Sequence, residues 1–413
     1  MKKTLYIIIG TALLSLASCD REAQLLSIER TSGINNAEEW TSFIQGTGSV
    51  NTVRDEKYYE DLREWKKAAF DKDGIAARSI SYIFFADYGS LAFRFADIPD
   101  SIDVINLWGG VPKFGSLDYQ EMKACQSIKG MKVVGCRITR ILENNRWGYE
   151  GQIPSFMNAY EKYKADRQGE IVLGKITAQE LEDAALNAGS AALRAEMQAN
   201  PGQGVATLDA DPAEREWPSW CIYASQVLLD EIEKYGLDGY DLDYEPEGDP
   251  LSGTCFNTMV AYLSQFIGPK SGNEGTLLII DRNSGAGDAS LAKLCNFWIY
   301  QKYGSLGGAS PATESDFGSN LDPANGWVPA QIITTENVGD TYSNACNNLE
   351  QMAGFQPSTC GQQYGHKGGF ASFHGQRDWR LEAEGAEKGK KMRYQHHIMG
   401  IRAQSQVEYY KGE

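Results

Sequence analysis

The chain has 413 residues, of which 42% are hydrophobic and 11% aromatic, enough to bury a substantial core. Its 39 Lys and Arg against 55 Asp and Glu give a formal net charge of −16 at pH 7. Because a surface this acidic repels phosphate backbones, nucleic acid is excluded as a partner.

The first 18 residues have the layout of a secretory signal. Lys2 and Lys3 precede an apolar run from Leu5 to Leu16, which ends in small residues before Cys19. That run is about twelve residues, and a membrane-spanning helix needs roughly 20. A Cys directly after Leu-Ala-Ser resembles a bacterial lipoprotein signal, in which the Cys is lipidated. The sequence therefore predicts a secreted lipoprotein of the outer membrane, facing the cell surface or the periplasm, and an ordinary signal peptide is the alternative.

The remaining chain is expected to form one large domain behind a tether. Residues 1–18 are the predicted signal peptide, residues 19–56 a polar, lipid-anchored tether, and residues 57–413 a single globular domain. The seven other cysteines are scattered, and the four histidines lack the spacing of metal ligands, so neither a metal nor a cofactor is expected. Cys346 and Cys360 are close enough to pair, but two free thiols fit equally well.

The chain order of helical and strand patterns favours a (β/α)8 barrel. An amphipathic helix is predicted at Tyr58–Ala69, and eight short β-type runs follow it. Several are continuous apolar runs, as in parallel strands buried on both faces. A doubly wound open sheet is the alternative, but no strand is followed by G-x-G-x-x-G. The predicted strands are Ile80–Ala86, Asp103–Trp108, Met131–Ile138, Gly236–Tyr244, Leu277–Ile280, Phe297–Tyr303, Gln331–Thr335 and Gly369–Phe373.

One connection is too long for an ordinary crossover. About 95 residues separate the third and fourth predicted strands, where connections are usually short. A Glu- and Ala-rich stretch at Thr177–Met197 predicts one or two surface helices inserted there, within residues 139–235. Such a loop would lie beside the mouth of the barrel, so it either helps select substrate or is a plain helical excursion.

The fourth predicted strand carries four acidic residues, in the segment Asp-Gly-Tyr-Asp-Leu-Asp-Tyr-Glu at residues 238–245. Side chains alternate along a strand, so Asp241, Asp243 and Glu245 share one face. Three carboxylates would disrupt a packed interior, but they suit the carboxyl end of a barrel strand, where the lumen opens. An exposed acidic loop or a calcium site is the alternative, although the Gly of a calcium loop is missing at the required offset.

The segment D-G-x-D-x-D-x-E resembles the signature of glycoside hydrolase family 18, which contains chitinases and endo-β-N-acetylglucosaminidases on (β/α)8 barrels. All four acidic positions match, and they fall on the fourth predicted strand, where that family carries them. The strand pattern extends the resemblance over roughly residues 75–405. The lipoprotein start and the runs DVINLWGG and GGFASFHG resemble the branch secreted by glycan-degrading gut bacteria.

The resemblance implies a role for each acid. Glu245 would be the general acid, Asp243 would orient the acetamido group of the substrate, and Asp241 would hold Asp243. Asp238 and Gly239 would be structural parts of the motif. In the sixth strand, Tyr303 matches the tyrosine that hydrogen-bonds the acetamido oxygen, with Tyr300 as an alternative and Gln301 as a neighbour in the site.

The strand geometry supports this mechanism independently. Asp243 and Glu245 are two residues apart, about 7 Å along a strand, so both lie on one side of the sugar. The nucleophile must then come from elsewhere, and a 2-acetamido group supplies it within the substrate. Other candidates to line the cleft lie at predicted strand ends, and these are Asn106, Trp108, Asp281, Asn283, Glu336 and Asn337.

Two departures from the family pattern bear on the substrate. The third strand lacks the S-x-G-G common in chitinases, and the eighth lacks the usual tryptophan beside the cleaved bond, for which Phe373 or Trp379 could substitute. The expected activity is therefore hydrolysis of the di-N-acetylchitobiose core of N-glycans, with no cofactor. The alternatives are a chitinase and an inactive glycan-binding lipoprotein, and the expected partners are a glycan, the membrane through Cys19, and outer-membrane glycan-import proteins.

Overall fold

Eight parallel strands form a closed barrel in chain order, and the last strand pairs with the first. The computed structural model describes residues 56–70, 74–88, 93–142, 153–283, 287–301, 303, 321, 326–338, 349–355, 366–382, 385–388 and 394–404. The predicted (β/α)8 fold is confirmed. The signal peptide, Cys19, Cys346 and Cys360 lie outside the described residues.

All eight predicted strands are present, with small shifts at their ends. The largest difference is in the fourth strand, which begins at Gly239 and not at Gly236, and the sixth strand ends at Gln301, so Tyr303 lies beyond it. The strands are β1 Ile80–Phe84, β2 Val104–Leu107, β3 Lys132–Ile138, β4 Gly239–Tyr244, β5 Leu277–Arg282, β6 Phe297–Gln301, β7 Ile332–Asn337 and β8 Gly369–Phe373.

Helices cover the outside of the barrel. The predicted helix before β1 is present, shifted towards the N-terminus by two residues. The helices are α1 Glu56–Lys67, α2 Leu117–Ser127, α3 Pro154–Val172, α4 Ala178–Ala199, α5 Ser219–Tyr235, α6 Thr254–Leu263 and α7 Gln395–Ala403. None of these described helices is both long and apolar enough to cross a bilayer.

Strand alternation divides the buried side chains into two layers. Tyr82, Val134, Ile279 and Ile299 belong to one cluster, which fills the barrel interior. Residues of opposite parity, such as Trp298, pack outward against the helices. Each strand contributes side chains to both layers. Its residues are therefore mostly apolar, except where the barrel interior opens into the site.

The long connection between β3 and β4 contains two additional helices, α3 and α4, which precede the crossover helix α5. A capping box begins α4, where the Thr177 hydroxyl accepts from the Glu180 amide at 3.1 Å and the Glu180 carboxylate accepts from the Thr177 amide at 2.7 Å. Phe156 and Leu193 pack with Trp220 of α5 in the outer core. The insertion is thus joined to the barrel by apolar packing.

Candidate active site

The three acids of β4 form a ladder that rises from the barrel interior to its mouth. Asp241 is fully buried, Asp243 is 3% exposed, and the Glu245 side chain is 21% exposed. Asp241 and Asp243 are two residues apart on β4, so they face the same way, and Glu245 follows the end of the strand. A substrate entering from the mouth therefore meets Glu245 first.

Asp238 and Gly239, at the start of β4, have a structural role. Gly239 has φ of +154°, and a Cβ atom there would lie 1.9 Å from the carbonyl oxygen of Leu277 on β5, so only glycine fits. Asp238 accepts hydrogen bonds from the Val133 amide at 2.8 Å and from Lys132 at 3.1 Å. The Asp238-Gly239 pair therefore joins three strands at the end of the barrel opposite to Glu245.

Asp241 is held by two donors from the other side of the barrel. The Tyr82 hydroxyl on β1 and the Asn106 amide on β2 both donate to Asp241 Oδ2 at 2.6 Å, and Asn106 also donates to the Tyr82 oxygen at 2.9 Å. Burial raises the pKa of Asp241 to about 7, while the two hydrogen bonds oppose that rise. Asp241 is thereby fixed in place and exchanges its proton near neutral pH.

Asp243 lies between Asp241 and Glu245, with one amide donor beside it. Gln301 Nε2 on β6 donates to Asp243 Oδ1 at 3.1 Å. Burial, followed by repulsion from Glu245 and then Asp241, raises the pKa of Asp243 well above its ordinary value. Asp243 and Asp241 therefore cannot both be ionised at low energetic cost.

Glu245 is oriented by two residues at the mouth. Arg140, which follows β3, donates through Nε to the Glu245 carbonyl oxygen at 2.6 Å and approaches its carboxylate at 3.5 Å. Asn283, just beyond β5, donates to Glu245 Oε1 at 3.2 Å. A second acid, Glu247, binds Arg140 at 2.7 Å. Glu245 is thus placed by both neighbouring strands while its carboxyl stays accessible.

An aromatic group borders the acids. The ring of Tyr303 stacks on Phe373 of β8, with ring centres 5.2 Å apart, and Trp108 contacts the same Phe373 edge-on at 4.9 Å. Burial, and then the nearby carboxylates of which Asp281 is the strongest, hold the pKa of Tyr303 well above its ordinary value. Tyr303 therefore remains a hydrogen-bond donor, and Trp108 is 38% exposed beside it.

Strand parity separates the other predicted site residues. Asn106 and Asp281 face the interior and are fully buried, with Asp281 in register beside Asp243. Tyr300 packs with Trp298 in the outer layer. Glu336 is 1% exposed and shares its strand face with Thr334, whose hydroxyl donates into the helical layer.

These positions correct the sequence-based expectation for four residues. Asn106 and Asp281 are fully buried and so offer a bound sugar no surface, and Tyr300 and Glu336 point away from the lumen, because side chains of opposite parity leave a strand on opposite faces. Asn337 pairs with Phe373 at the carboxyl end of β7, so it lies at the mouth.

Two residues that contact the acids were not predicted. Tyr82 lies in the middle of an apolar strand, where nothing local distinguishes it from a core residue. Its buried hydroxyl needed a partner, but only the closed barrel identifies that partner as Asp241. Arg140 could have been found, because a charged residue two positions after a barrel strand lies at the mouth.

Two cavities differ in their relation to the acids. A cavity of about 230 Å³ at the mouth is lined by Trp108, Cys136, Arg137 and Ile138. A larger one of about 910 Å³ lies at the opposite end and is lined in part by Asp238. Since barrel enzymes carry their sites at the carboxyl ends of the strands, the smaller cavity is the relevant one.

The fold and the acidic ladder define a glycoside hydrolase family 18-like barrel, and similarity to known proteins supports the same class. A family model described as the TIM-barrel domain of endo-β-N-acetylglucosaminidase EndoS matches residues 204–372. The match begins just after helix α4 and includes β4 to β7 and β8 up to Ser372, hence the whole acidic ladder. The family resemblance read from the motif is confirmed at this level.

Individual relatives are distant. An endo-β-N-acetylglucosaminidase from Bifidobacterium longum subsp. infantis is 25% identical over 138 residues, which is 32% of this chain. The chain thus matches only 25% of the length of that curated relative. A solved structure of BT1044 has a TM-score of 0.51 at 16% identity, covering 85% of this chain and 93% of that chain, and it shows the fold alone.

A second solved structure is an endo-β-N-acetylglucosaminidase mutant from Cordyceps militaris in complex with fucosyl-N-acetylglucosamine-Asn. It has a TM-score of 0.49 at 17% identity and covers 86% of this chain and 97% of that chain.

Proposed function

We propose that this protein is an endo-β-N-acetylglucosaminidase that hydrolyses the β-1,4 bond of the di-N-acetylchitobiose core of N-glycans. The single observation that carries the proposal is the ladder Asp241, Asp243 and Glu245, which ends in an accessible carboxyl held by Asn283 and Arg140. The EndoS-type family model over residues 204–372 and the distant Bifidobacterium relative support the choice of activity.

The positions of the carboxyls favour attack by the substrate itself. Asp243 and Glu245 are separated by about 7 Å along one chain, so both approach the sugar from the same side. The other interior carboxyl near the mouth, Asp281, is fully buried, and Glu336 faces the outer layer. None of these four carboxyls is placed to attack the opposite ring face, so the acetamido oxygen supplies the nucleophile.

The reaction then runs in two steps. Glu245 donates a proton to the leaving glycosidic oxygen while the acetamido oxygen bonds to the anomeric carbon, forming an oxazolinium ion. Asp243 accepts the acetamido N–H and stabilises the positive charge, and the Tyr303 hydroxyl orients the acetamido oxygen. Glu245, now a carboxylate, then takes a proton from water while the water oxygen attacks the anomeric carbon. This attack breaks the bond to the acetamido oxygen, opens the oxazolinium ring and leaves the anomeric configuration retained.

Incubating residues 20–413 with an N-glycosylated protein and with chitin oligomers tests the activity. Mass analysis should find a single N-acetylglucosamine left on asparagine. Cleavage of the chitin oligomers alone would make the protein a chitinase, and binding without cleavage would make it a glycan-binding lipoprotein. Either result would replace the proposal.

The role of Glu245 is tested by Glu245→Gln. Because general acid catalysis contributes about 10²- to 10⁴-fold, kcat should fall by at least about a hundredfold with the fold intact. Glu247→Gln is the matched control, since Glu247 also binds Arg140 but its side chain is 65% exposed, and it should lose less than about threefold. Equal effects of the two substitutions would remove Glu245 from the mechanism.

Internal attack requires a 2-acetamido group on the sugar that precedes the cleaved bond. Matched substrates with glucose or N-acetylglucosamine at that position should differ by several orders of magnitude in turnover, and equal turnover would refute the mechanism.

We further propose secretion with a lipid anchor at Cys19 and action on glycans beside outer-membrane import proteins. Metabolic labelling with a fatty acid should mark the wild type and fail to mark Cys19→Ser.

A further inference from the structure

One interior carboxyl has no place in the mechanism above. Asp281 on β5 is fully buried, and it lies in register beside Asp243, the residue that receives the acetamido group. Neither of its carboxyl oxygens has a hydrogen-bond partner of regular geometry among the described residues. By contrast, Asp241 and Asp243 each accept at least one side-chain hydrogen bond.

The groups that face Asp281 are mostly acidic. Asp243 and Asp241 lie on β4, Glu245 lies above them, and Cys136 of β3 has a buried thiol whose pKa is raised well above its ordinary value. From β6, Gln301 donates to Asp243 at 3.1 Å and also acts on Asp281 as a hydrogen-bond donor that opposes the rise in its pKa, and Tyr303 stays protonated. Arg140, the nearby cation at the mouth, is engaged with Glu245 and Glu247.

An ionised carboxyl is the least favourable state in these surroundings. A buried charge needs a cation or several donors, and Asp281 has neither from the residues named above. Burial, followed by repulsion from Asp243 and Asp241, raises the pKa of Asp281 well above its ordinary value. The neutral acid removes the charge and supplies one O–H donor, which faces the acceptors of the ladder.

We propose that Asp281 works as a neutral carboxylic acid and is a positioning residue for Asp243. Its neutral state leaves the single negative charge of the cluster to the Asp241–Asp243 pair, where the oxazolinium ion forms. Its O–H donor restrains the Asp243 side chain. This inference rests on the proposed function for its role towards Asp243, whereas its neutral state stands independently of any substrate.

A purely structural role does not account for the residue. A buried carboxyl without a hydrogen bond of regular geometry is a poor packing element, and an aliphatic side chain at the same position would fill the space without a polar group to satisfy. The neighbouring strand positions that face the interior, Ile279 and Ile299, are aliphatic. The polar atom of Asp281 therefore serves the acids beside it.

Three substitutions in the full mature chain test this role. Asp281→Asn keeps a neutral, hydrogen-bonding side chain, so kcat should stay within about tenfold of the wild type. Asp281→Leu is neutral but cannot donate, so kcat should fall further than in Asp281→Asn at similar thermal stability. In Asp243→Asn, kcat should fall by at least about a hundredfold. A loss in Asp281→Asn as large as in Asp243→Asn would overturn the proposal.

Infrared difference spectroscopy tests the neutral state without any substrate. Between pH 6 and 8 the carboxylic acid C=O absorption of the wild type should exceed that of Asp281→Asn by one group, and an unchanged absorption would overturn the proposal. Asp249→Asn is the matched control, because Asp249 is also buried with a raised pKa but accepts hydrogen bonds from the Leu142 and Leu251 amides. If the enzyme proves inactive on every glycan, the proposed function fails while this measurement still decides the state of Asp281.

Discussion

Removing the Tyr82 hydroxyl would test how the barrel controls its acids. That hydroxyl donates to the buried Asp241 Oδ2 at 2.6 Å, and Asn106 is the second donor to the same oxygen. Tyr82→Phe deletes one of the two donors and leaves the ring, which belongs to the interior cluster. The substitution therefore changes the electrostatics of Asp241 with little change in packing.

The expected size follows from the worth of a hydrogen bond to a charged group, about 1.5–3 kcal/mol. Since one pKa unit corresponds to about 1.4 kcal/mol, losing the Tyr82 donor should raise the pKa of Asp241 by about one to two units above its value of about 7. The donor stabilises the ionised form, so its loss favours the protonated form. The acid limb of kcat/KM should move upward by the same amount.

The assay is the pH dependence of kcat/KM on the best glycan substrate, together with the pH dependence of stability. A raised pKa means that the folded chain holds the Asp241 proton more tightly than the unfolded chain. This contribution therefore destabilises the fold as pH rises from about 4 towards 7, and in Tyr82→Phe the decline should continue beyond 7.

Tyr240→Phe is the matched control on the outward face of β4. Its hydroxyl also donates to a carboxylate, that of Glu231 at 2.8 Å, so a comparable hydrogen bond is lost. This variant should lose stability and keep the wild-type pH profile. If Tyr82→Phe also keeps the wild-type profile while remaining folded, the assignment of Asp241 as a titrating member of the site is refuted.

Two further predictions concern stability. Burial lowers the pKa of His397 to about 4, so its contribution to stability is present above pH 6.5 and is lost as the pH falls towards 4. His397→Gln should therefore reduce the loss of unfolding free energy between pH 7 and pH 5 by about 2 kcal/mol in urea titrations, and an unchanged loss would contradict this. Asp238→Ala removes the acceptor for Val133 and Lys132, so it should lower the unfolding free energy by about 2 kcal/mol. Its kcat should stay within about twofold because Asp238 lies opposite to the mouth, and a large fall in kcat at full stability would argue against that role.

The eight strands could be predicted because each is a short apolar run bounded by polar residues, and parallel strands buried on both faces require that pattern. Strand ends were less certain: β5 continues through the polar Asp281 and Arg282, where apolar character no longer marks the strand. Alternation likewise placed Asp241 and Asp243 on one face. The same rule applied to β6 would have excluded Tyr300, whose parity is opposite to that of Gln301.

The sequence by itself determined the barrel and the acidic ladder, because periodicity and spacing are properties of neighbouring residues. Only the tertiary structure decided which groups control those acids. Tyr82 is 159 residues from Asp241, and the burial that separates the roles of Asp281 and Glu245 arises when the barrel closes. Protonation depends on solvent access and on charges brought together by folding, and neither quantity is carried by a local pattern.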